Sequence, residues 1–255
     1  MLEILFLGTG TSHGIPVIGC NCGVCQSSDP KNKRNRSSIL LTQGDTNILI
    51  DTATELRLQA LRFNITSVDA VLYTHFHADH VFGFDDLRRF NNNGSKPIPV
   101  YGNAETIEEL RQCFAYVFRK TQEGSKKPLV TPQIIQPVPT VIHGLTFQPI
   151  PIYHGQLGIY GYRFGNVAYI TDCSKIPEQS EKLLKDLDIL ILGVLRYRPH
   201  PTHFNLNQAL KVIAKLKPNR TYFTHICHDF DHEQVQRELP PNCYLGYDGL
   251  RLETS

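Results

Sequence analysis

The stretch THFHADH, residues 74 to 80, decides how this chain folds and where its chemistry lies. It continues the apolar run AVLYT, so its histidines lie on a turn at the carboxyl end of a predicted strand, where functional groups of open α/β sheets collect. The side chains of His75, His77, Asp79 and His80 cannot all be satisfied as buried polar groups, and protonated imidazoles this close would repel one another. Because neutral imidazole and carboxylate are good ligands for zinc, manganese or iron, the stretch predicts a metal site.

Further polar residues end apolar runs elsewhere in the chain. Asp51 closes NILID, His154 closes PIPIYH, Asp172 closes VAYITD and His225 closes RTYFTH. A catalytic metal needs open coordination positions, and two metals about 3.5–4 Å apart need more than four protein ligands, so the first stretch alone is not sufficient. Taken singly, each of these residues could be a cap or a turn residue. Their repeated placement instead predicts a site assembled along one edge of a sheet.

A second group of candidate ligands lies in GCNCGVC, residues 19 to 25. The thiols of Cys20, Cys22 and Cys25 cannot all pair with one another, and clustered cysteines in a reducing compartment are more often metal-bound or catalytic than cross-linked. A closed tetrahedral site of three cysteines and one histidine is the signature of structural zinc. The fourth ligand is expected in the downstream segment HICHDFDH, where the candidates are His228, Cys227 and His232.

Composition is that of an ordinary globular α/β protein. The chain has 255 residues and a formal charge of +2, so its overall charge does not indicate non-specific binding to nucleic acid or membranes. The most continuous apolar run, LDILILGVL, is about half the ~20 residues that a membrane helix needs. The amino-terminal MLEILFLG reads as a first strand and not as a signal peptide. We therefore expect a cytoplasmic protein.

Strand-like runs alternate with helix-like ones along the chain, which predicts a layered α/β architecture in a single domain, 1–255. The predicted helices are 54–63, 104–118, 178–187, 206–216 and 231–239.

The pattern HFHADH, with Asp51 before it and His154, Asp172 and His225 after it in that order, resembles the metallo-β-lactamase superfamily. The resemblance covers nearly the whole chain and implies a four-layer αββα sandwich with two metal sites. It implies that His75, His77 and His154 bind one metal, that Asp79, His80 and His225 bind the second, and that Asp172 bridges them. Asp51 resembles the family's supporting aspartate, which orients loops and ligating imidazoles.

Three segments are similar to the PhnP-type branch of this superfamily, whose members hydrolyse five-membered cyclic phosphates such as phosphoribosyl 1,2-cyclic phosphate. These segments are GTGTSHGIP near the start, GCNCGVC, and THICHDFD near the end. The resemblance implies a structural zinc held by Cys20, Cys22, Cys25 and His228.

The same branch has a histidine just before a helix, and His203 in THFNLN matches it, with Asn205 able to cap the helix. Since helix N-termini favour anions, His203 is placed to contact a phosphate oxygen or to protonate the leaving group. His200 is the alternative for this role.

These features predict a metal-dependent phosphodiesterase that hydrolyses small cyclic phosphodiesters. The expected cofactors are two catalytic divalent metals, manganese or zinc, and one structural zinc. A hydroxide bound by both catalytic metals would attack phosphorus, with Asp79 and Asp172 setting the ligand field and His203 assisting the leaving alkoxide. The expected partner is a small-molecule phosphodiester, and homodimer formation is left open.

Two other functions stay in consideration. A tRNase Z-like 3′ endonuclease shares the HxHxDH core, but those enzymes carry a long basic arm and a glutamate before the extra histidine. Here LGVLRYRPHPTHF has no acid, and 119–132 is a short insert of modest positive charge, so we expect nucleic-acid binding only under this alternative. A non-catalytic nucleotide- or metal-binding module on the same fold would be favoured by loss of a ligand, and no ligand is missing. The basic run KNKRNR, 31–36, is expected to be a solvated loop, with a phosphate contact as the alternative.

Overall fold

The computed structural model describes residues 1–91, 96–120 and 126–254. In this part of the chain the strands are β1 (Leu2–Gly8), β2 (Ser38–Gln43), β3 (Thr46–Ile50), β4 (Ala70–Leu72), β5 (Ile98–Gly102), β6 (Val130–Ile134), β7 (Thr140–Ile142), β8 (Leu145–His154), β9 (Leu157–Phe164), β10 (Val167–Ile170), β11 (Ile189–Gly193), β12 (Arg220–Thr224), β13 (Cys243–Leu245) and β14 (Arg251–Thr254). The α-helices are α1 (Gly23–Gln26), α2 (Leu56–Phe63), α3 (Ala78–Val81), α4 (Ala104–Cys113), α5 (Ala115–Phe118), α6 (Glu178–Lys182), α7 (Leu206–Leu216) and α8 (His232–Glu238), with 3₁₀ turns at Pro30–Asn32 and Phe84–Arg89.

The strands form two mixed sheets, whose orders are β14-β1-β2-β3-β4-β5-β6 and β13-β12-β11-β10-β9-β8-β7. Strands β3 to β6 are parallel, as are β10 to β13, and the other neighbours are antiparallel. Because β8 and β10 are both antiparallel to β9, β8 runs in the same direction as β10. The carboxyl ends of the strands that precede the predicted ligands therefore collect at one edge of each sheet.

Successive residues of a strand point to opposite faces, so each sheet has an inner and an outer apolar face. The apolar side chains therefore form one layer between the two sheets and one layer under the helices on each outer face. In β11, Ile189 and Ile191 pack between the two sheets, whereas Leu190 and Leu192 pack against the helical layer that contains α7 and α8. The outer face of the other sheet packs against α2, α4 and α5. This arrangement confirms the predicted four-layer αββα sandwich.

The helices differ from the predictions mainly at their ends. The predicted helix 104–118 is two helices, because Phe114 leaves helical geometry (φ −112°, ψ 40°), and its ring centroid lies 4.8 Å from that of Phe84. Asn103 caps the first of them by accepting the N–H of Thr106 at 2.7 Å. Of the predicted loop 119–132, residues 121–125 lie outside the described residues and β6 begins at Val130.

No helix in the described residues has both the length and the apolar character needed to cross a membrane. The single domain and the homodimer stay predictions.

Candidate metal centre

The structure brings the predicted ligands into adjacent groups at the carboxyl edge of the strands. In each group the donor atoms lie within 4.8 Å of one another. The groups are His75, His77 and His154; Asp79, His80, Asp172 and His225; His154, Asp172 and His203; and Cys20, Cys22, Cys25 and His228.

Three of the strand-end residues have left-handed backbone geometry. The φ angles of Asp51, Asp172 and His225, which follow β3, β10 and β12, are 63°, 51° and 55°. This region costs a non-glycine residue energy and persists only where the surrounding structure holds it. The chain therefore makes the same sharp turn after each of these strands, and the turn leaves the polar side chain at the sheet edge.

Buried Asp51 orients two of the candidate ligands. Its carboxylate accepts the N–H and the hydroxyl of Thr74, both at 2.8 Å, and the Nδ1–H of His80 at 2.7 Å. Because the Thr74 hydroxyl gives its only proton to Asp51, it can only accept from Nδ1 of His75, 3.0 Å away. On the other sheet, Nδ1 of His154 donates to the Thr202 carbonyl at 2.8 Å. In all three imidazoles Nδ1 is the engaged nitrogen, so Nε2 is available as a ligand.

Two of these available nitrogens, and both ring nitrogens of His225, have no hydrogen-bond partner in the part of the chain that the structure describes. Nε2 of His75, Nε2 of His80 and both ring nitrogens of His225 are buried without a hydrogen-bond partner among the described residues. Carboxylate oxygens of Asp172 and Asp79 lie 3.2 and 3.3 Å from His80 Nε2, but not in hydrogen-bond geometry. Buried polar groups normally have partners. This donor set of imidazoles and carboxylates, with orphaned nitrogens facing it, fits a divalent metal.

The charge distribution of the cluster also favours a cation. Burial alone would lower the pKa of His80, but the carboxylates of Asp172, Asp79 and Asp51 raise it well above its usual value. Burial would raise the pKa of Asp172, and the neighbouring His225 and His80 instead hold it well below its usual range. The carboxylate of Asp172 therefore stays ionised, and positive charge beside it is stabilised.

Asp172 lies between the two histidine groups. One carboxylate oxygen, Oδ1, is 3.2 Å from Nε2 of both His80 and His225, and the other, Oδ2, is 3.9 Å from Nε2 of His75. A single buried carboxylate thus reaches ligands of both groups.

His203 lies against this cluster, and His200 lies beyond it. The ring of His203 stacks on that of His225 with centroids 4.8 Å apart, and its Nδ1 is 3.9 Å from Oδ2 of Asp172. Burial and the nearby His225 lower the pKa of His203 to about 3, so its ring is neutral near pH 7. The His200 ring is 5.1 Å from that of His203.

The start of the following helix is less free to bind an anion than the sequence suggests. Asn205 caps it as predicted, in a reciprocal box with Gln208. The N–H of Gln208 is bonded to Asn205 Oδ1 and the N–H of Leu206 to the Arg196 carbonyl. Two backbone donors at this helix start are therefore already engaged, so a phosphate contact here would depend on side chains such as His203.

The cysteine cluster surrounds one imidazole nitrogen. The Sγ atoms of Cys20, Cys22 and Cys25 lie 3.2, 3.5 and 3.5 Å from Nδ1 of His228. The backbone N–H of Cys25 lowers the pKa of Cys22 to about 6, which favours the thiolate that a metal needs. All cysteines are free of disulfides.

The two rival fourth ligands are engaged elsewhere. Cys227 accepts the N–H of Asp229 at 3.4 Å, and Nδ1 of His232 contacts Arg34. The donor set of the cluster is that of a closed zinc site.

Arg34 has a structural role that its place in a basic run does not indicate. The expectation of a solvated loop is wrong for this residue, because Arg34 is only 2 % exposed. Its guanidinium donates to Thr9 Oγ1 at 2.7 Å and to the Gly246 carbonyl at 2.6 Å, and contacts Nδ1 of His232 at 3.1 Å. Thr9 in turn donates its N–H and hydroxyl to the buried carboxylate of Asp248, at 2.9 and 2.8 Å. The arginine therefore joins both ends of the chain to the start of α8.

This network continues to the last candidate ligand. The Thr9 carbonyl accepts the N–H of Ile226 at 2.9 Å, and the Thr11 N–H donates to the Ile226 carbonyl at 3.1 Å. Ile226 directly follows His225, so the strand-like contact with 9–11 holds the left-handed turn at that ligand. Residue type within 31–36 does not signal this role: Asn32 and Arg34 are buried, but the same two residue types also occur at the less buried positions 35 and 36.

Comparison with known proteins agrees with this site. The beta-lactamase superfamily domain model matches residues 46–226, which is more than half of the chain. A solved structure described as a new diphosphatase from the PhnP family is 42% identical, with a TM-score of 0.94, and the match covers 100% of this chain and 98% of that one.

Two curated relatives match only in part. An octanoyltransferase of Porphyromonas gingivalis is 37% identical over 252 residues, which are 98% of this chain and 51% of that protein. A ribonuclease Z of Clostridium kluyveri is 30% identical over 106 residues, which are 40% of this chain and 30% of that protein. The chain thus spans about half the length of the first relative.

Proposed function

The chain belongs to the beta-lactamase superfamily and, within it, to the PhnP family of metal-dependent hydrolases, and from this premise we propose that it hydrolyses small phosphodiesters, above all five-membered cyclic phosphates of ribose. The observation that carries the proposal is the position of Asp172, whose two carboxylate oxygens face ligands of two adjacent donor groups. A phosphodiester offers two phosphoryl oxygens to such a pair of sites, which a planar amide or thioester does not.

We assign the ligands as follows. His75, His77 and His154 hold one divalent metal, Asp79, His80 and His225 hold the second, Asp172 is shared, and Cys20, Cys22, Cys25 and His228 hold a structural zinc. When bound, the catalytic pair, manganese or zinc, supplies Lewis-acid charge for the phosphoryl oxygens and a nucleophile at neutral pH.

The protein's own part is to hold the reacting groups in place. Asp51 and the Thr202 carbonyl fix the ring orientation of His80 and His154, so their Nε2 atoms need no rearrangement on binding. Asp79 and Asp172 stay ionised and fix the charge of the site. His203, neutral and against the cluster, donates a hydrogen bond to the oxygen that leaves phosphorus, which stabilises its developing charge.

A second candidate function is hydrolysis of a diphosphate bond. Its support is the relative of 42% identity, which is described as a diphosphatase. The same donor groups would serve this reaction, because the attacked atom is again a phosphorus with two free oxygens. The partial likeness to ribonuclease Z supports a tRNA substrate less, since that match covers 40% of this chain.

A substrate panel tests the proposal. A ribose cyclic phosphate, bis(p-nitrophenyl) phosphate, a diphosphate diester such as ADP-ribose and a tRNA precursor would be assayed with manganese or zinc supplied. We expect turnover of the cyclic ester at the highest kcat/KM and no site-specific cleavage of the tRNA. Efficient 3′ processing of the tRNA without turnover of either small ester class would overturn the proposal.

A further inference from the structure

A fully buried threonine directly precedes three of the candidate ligands at the strand ends. The pairs are Thr74 and His75, Thr171 and Asp172, and Thr224 and His225. Two of these threonines bond to the ligand that follows them. The Thr74 hydroxyl accepts from Nδ1 of His75 at 3.0 Å, and the Thr171 hydroxyl donates to Oδ1 of Asp172 at 2.8 Å. The bond from Thr171 therefore reaches the carboxylate that lies between the two donor groups.

The Asp172 carboxylate depends on this hydroxyl for its orientation. An ionised carboxylate can only accept, so the proton of the bond comes from Thr171. Among the residues that the structure describes, this is the one hydrogen bond to the carboxylate, because Nε2 of His80 and of His225 lie 3.2 Å from the same Oδ1 without hydrogen-bond geometry. The hydroxyl thus determines which of the two carboxylate oxygens faces these imidazoles.

The backbone around Asp172 is already held in place. Strand β10 pairs with β11 as far as Ile170 and Leu192, and the two chains then approach so closely that a Cβ added at Gly193 would lie 3.0 Å from the backbone nitrogen of Asp172. The left-handed turn, with φ of 51° at Asp172, follows at once. The freedom that remains to Asp172 is rotation of its side chain.

Thr171 is suited to restrict that rotation. Its side chain is β-branched, so few χ1 rotamers are open to it, and its 0 % exposure keeps water from competing for the hydroxyl. With Oδ1 bonded to Thr171, Oδ2 is left 3.9 Å from both Nε2 of His75 and Nδ1 of His203. The two oxygens of one carboxylate are therefore directed to different sides of the cluster before any metal binds.

We propose that Thr171 is a positioning residue of the metal centre: its hydroxyl holds the Asp172 carboxylate with Oδ1 toward the donor group that contains His225 and Oδ2 toward the group that contains His75. This inference rests on the proposed function for the assignment of Asp172 as the shared ligand. Without the hydroxyl, the carboxylate would have to be ordered when the metals bind, and this cost would weaken their binding.

Metal affinity measures this role without relying on hydrolysis. Competition with a chelator of known affinity for Mn²⁺ or Zn²⁺, in the absence of substrate, would give the dissociation constants of the two exchangeable metals. Thr171→Val removes the hydroxyl and nearly keeps the shape, and it should weaken binding of at least one of these metals about 10–100-fold, as is typical when a group that orients a ligand is lost. Thr171→Ser keeps the hydroxyl and should retain most of the affinity.

Thr221→Val is the matched control. Thr221 lies in β12 of the same sheet and is 1 % exposed, and its hydroxyl has no hydrogen-bond partner in the described part of the chain. The same exchange of a buried hydroxyl for a methyl group should therefore leave both metal dissociation constants unchanged.

Dissociation constants of Thr171→Val equal to those of the parent would overturn the positioning role. Equal losses of affinity in Thr171→Val and Thr221→Val, or in Thr171→Val and Thr171→Ser, would overturn it as well. Melting temperatures of the metal-free variants would be measured in parallel. If Thr171→Val is unfolded, Thr171→Ala and Thr171→Ser give the same comparison, because these two variants differ by the hydroxyl alone.

The proposed function and the positioning role can fail separately. If the metal affinities change as expected while no phosphodiester is hydrolysed by the parent, the proposed function fails and the role of Thr171 stands. If the parent hydrolyses a cyclic ester while Thr171→Val binds both metals as the parent does, the role of Thr171 fails and the proposed function stands.

Discussion

Replacement of Arg34 by methionine should destabilise the fold strongly, although the residue lies in a run of basic residues that resembles a surface loop. Methionine keeps much of the volume but leaves the Gly246 carbonyl and Nδ1 of His232 without a donor, in a region where Arg34 is 2 % exposed. The buried carboxylate of Asp248 also loses the nearest buried positive charge of its network. Removing one member of a buried charged network costs about 3–5 kcal/mol, and for a domain of this size each kcal/mol lowers the melting temperature by about 2–4 °C. The expected fall is therefore about 6–20 °C.

Differential scanning calorimetry of the metal-loaded protein would measure this fall in the melting temperature of Arg34→Met. Arg237→Met is the matched control, because this arginine is 79% exposed and its pair with Glu233 at 3.1 Å is on the surface. The control should melt within about 2 °C of the parent. A melting temperature of Arg34→Met as close to the parent as that of the control would refute the inference that the buried network ties the chain ends to the metal centre.

Cys22→Ser should lower the melting temperature more than it lowers turnover per folded molecule, since a structural metal contributes folding free energy. A variant that melts like the parent but has lost turnover would show that the cysteine cluster is a catalytic and not a structural site. Asp172→Asn should reduce hydrolysis more than tenfold, about 1.4 kcal/mol in activation free energy, with circular dichroism unchanged, and a smaller loss would favour a single-metal reaction. His203→Ala should depress kcat for a ribose cyclic phosphate more than for bis(p-nitrophenyl) phosphate, because a good leaving group hardly needs a donor; equal losses would argue against that role. Burial and the Arg34 charge lower the pKa of His232 to about 4. Between about pH 4 and 6.5 the unfolded chain therefore binds more protons at this residue than the folded chain does, and the free energy of unfolding decreases as the pH falls. In His232→Gln this loss between pH 7 and 4.5 should be smaller by urea titration, and an equal loss would contradict the shifted pKa.

The fold and the clustering of the candidate ligands could be predicted from the sequence because their signals are local. An apolar run followed at once by a histidine or an aspartate places that side chain at a strand end, and parallel strands then bring such ends together. The cluster of His75, His77, Asp79 and His80 needed no long-range information, since all four residues lie on one turn.

The features that the sequence did not reveal depend on contacts between residues that are not neighbours in the sequence. The residue type of Arg34 does not distinguish it from the other basic residues of its segment. It is buried because it packs against Thr9, Gly246 and His232. The helix cap at Asn205 was predictable from residue type, but the Arg196 carbonyl that occupies the N–H of Leu206 was not. The break at Phe114 likewise follows from aromatic packing against Phe84, which helical periodicity does not encode.

We expect the two adjacent donor groups to hold a pair of divalent metals on which hydrolysis depends. The most direct measurement is the metal content per chain, by elemental analysis before and after mild chelation, with turnover followed in the same samples. We expect close to three metals per chain, of which two are removed together with activity and restored with it, while one zinc resists removal. Full activity at one exchangeable metal per chain would contradict the paired site.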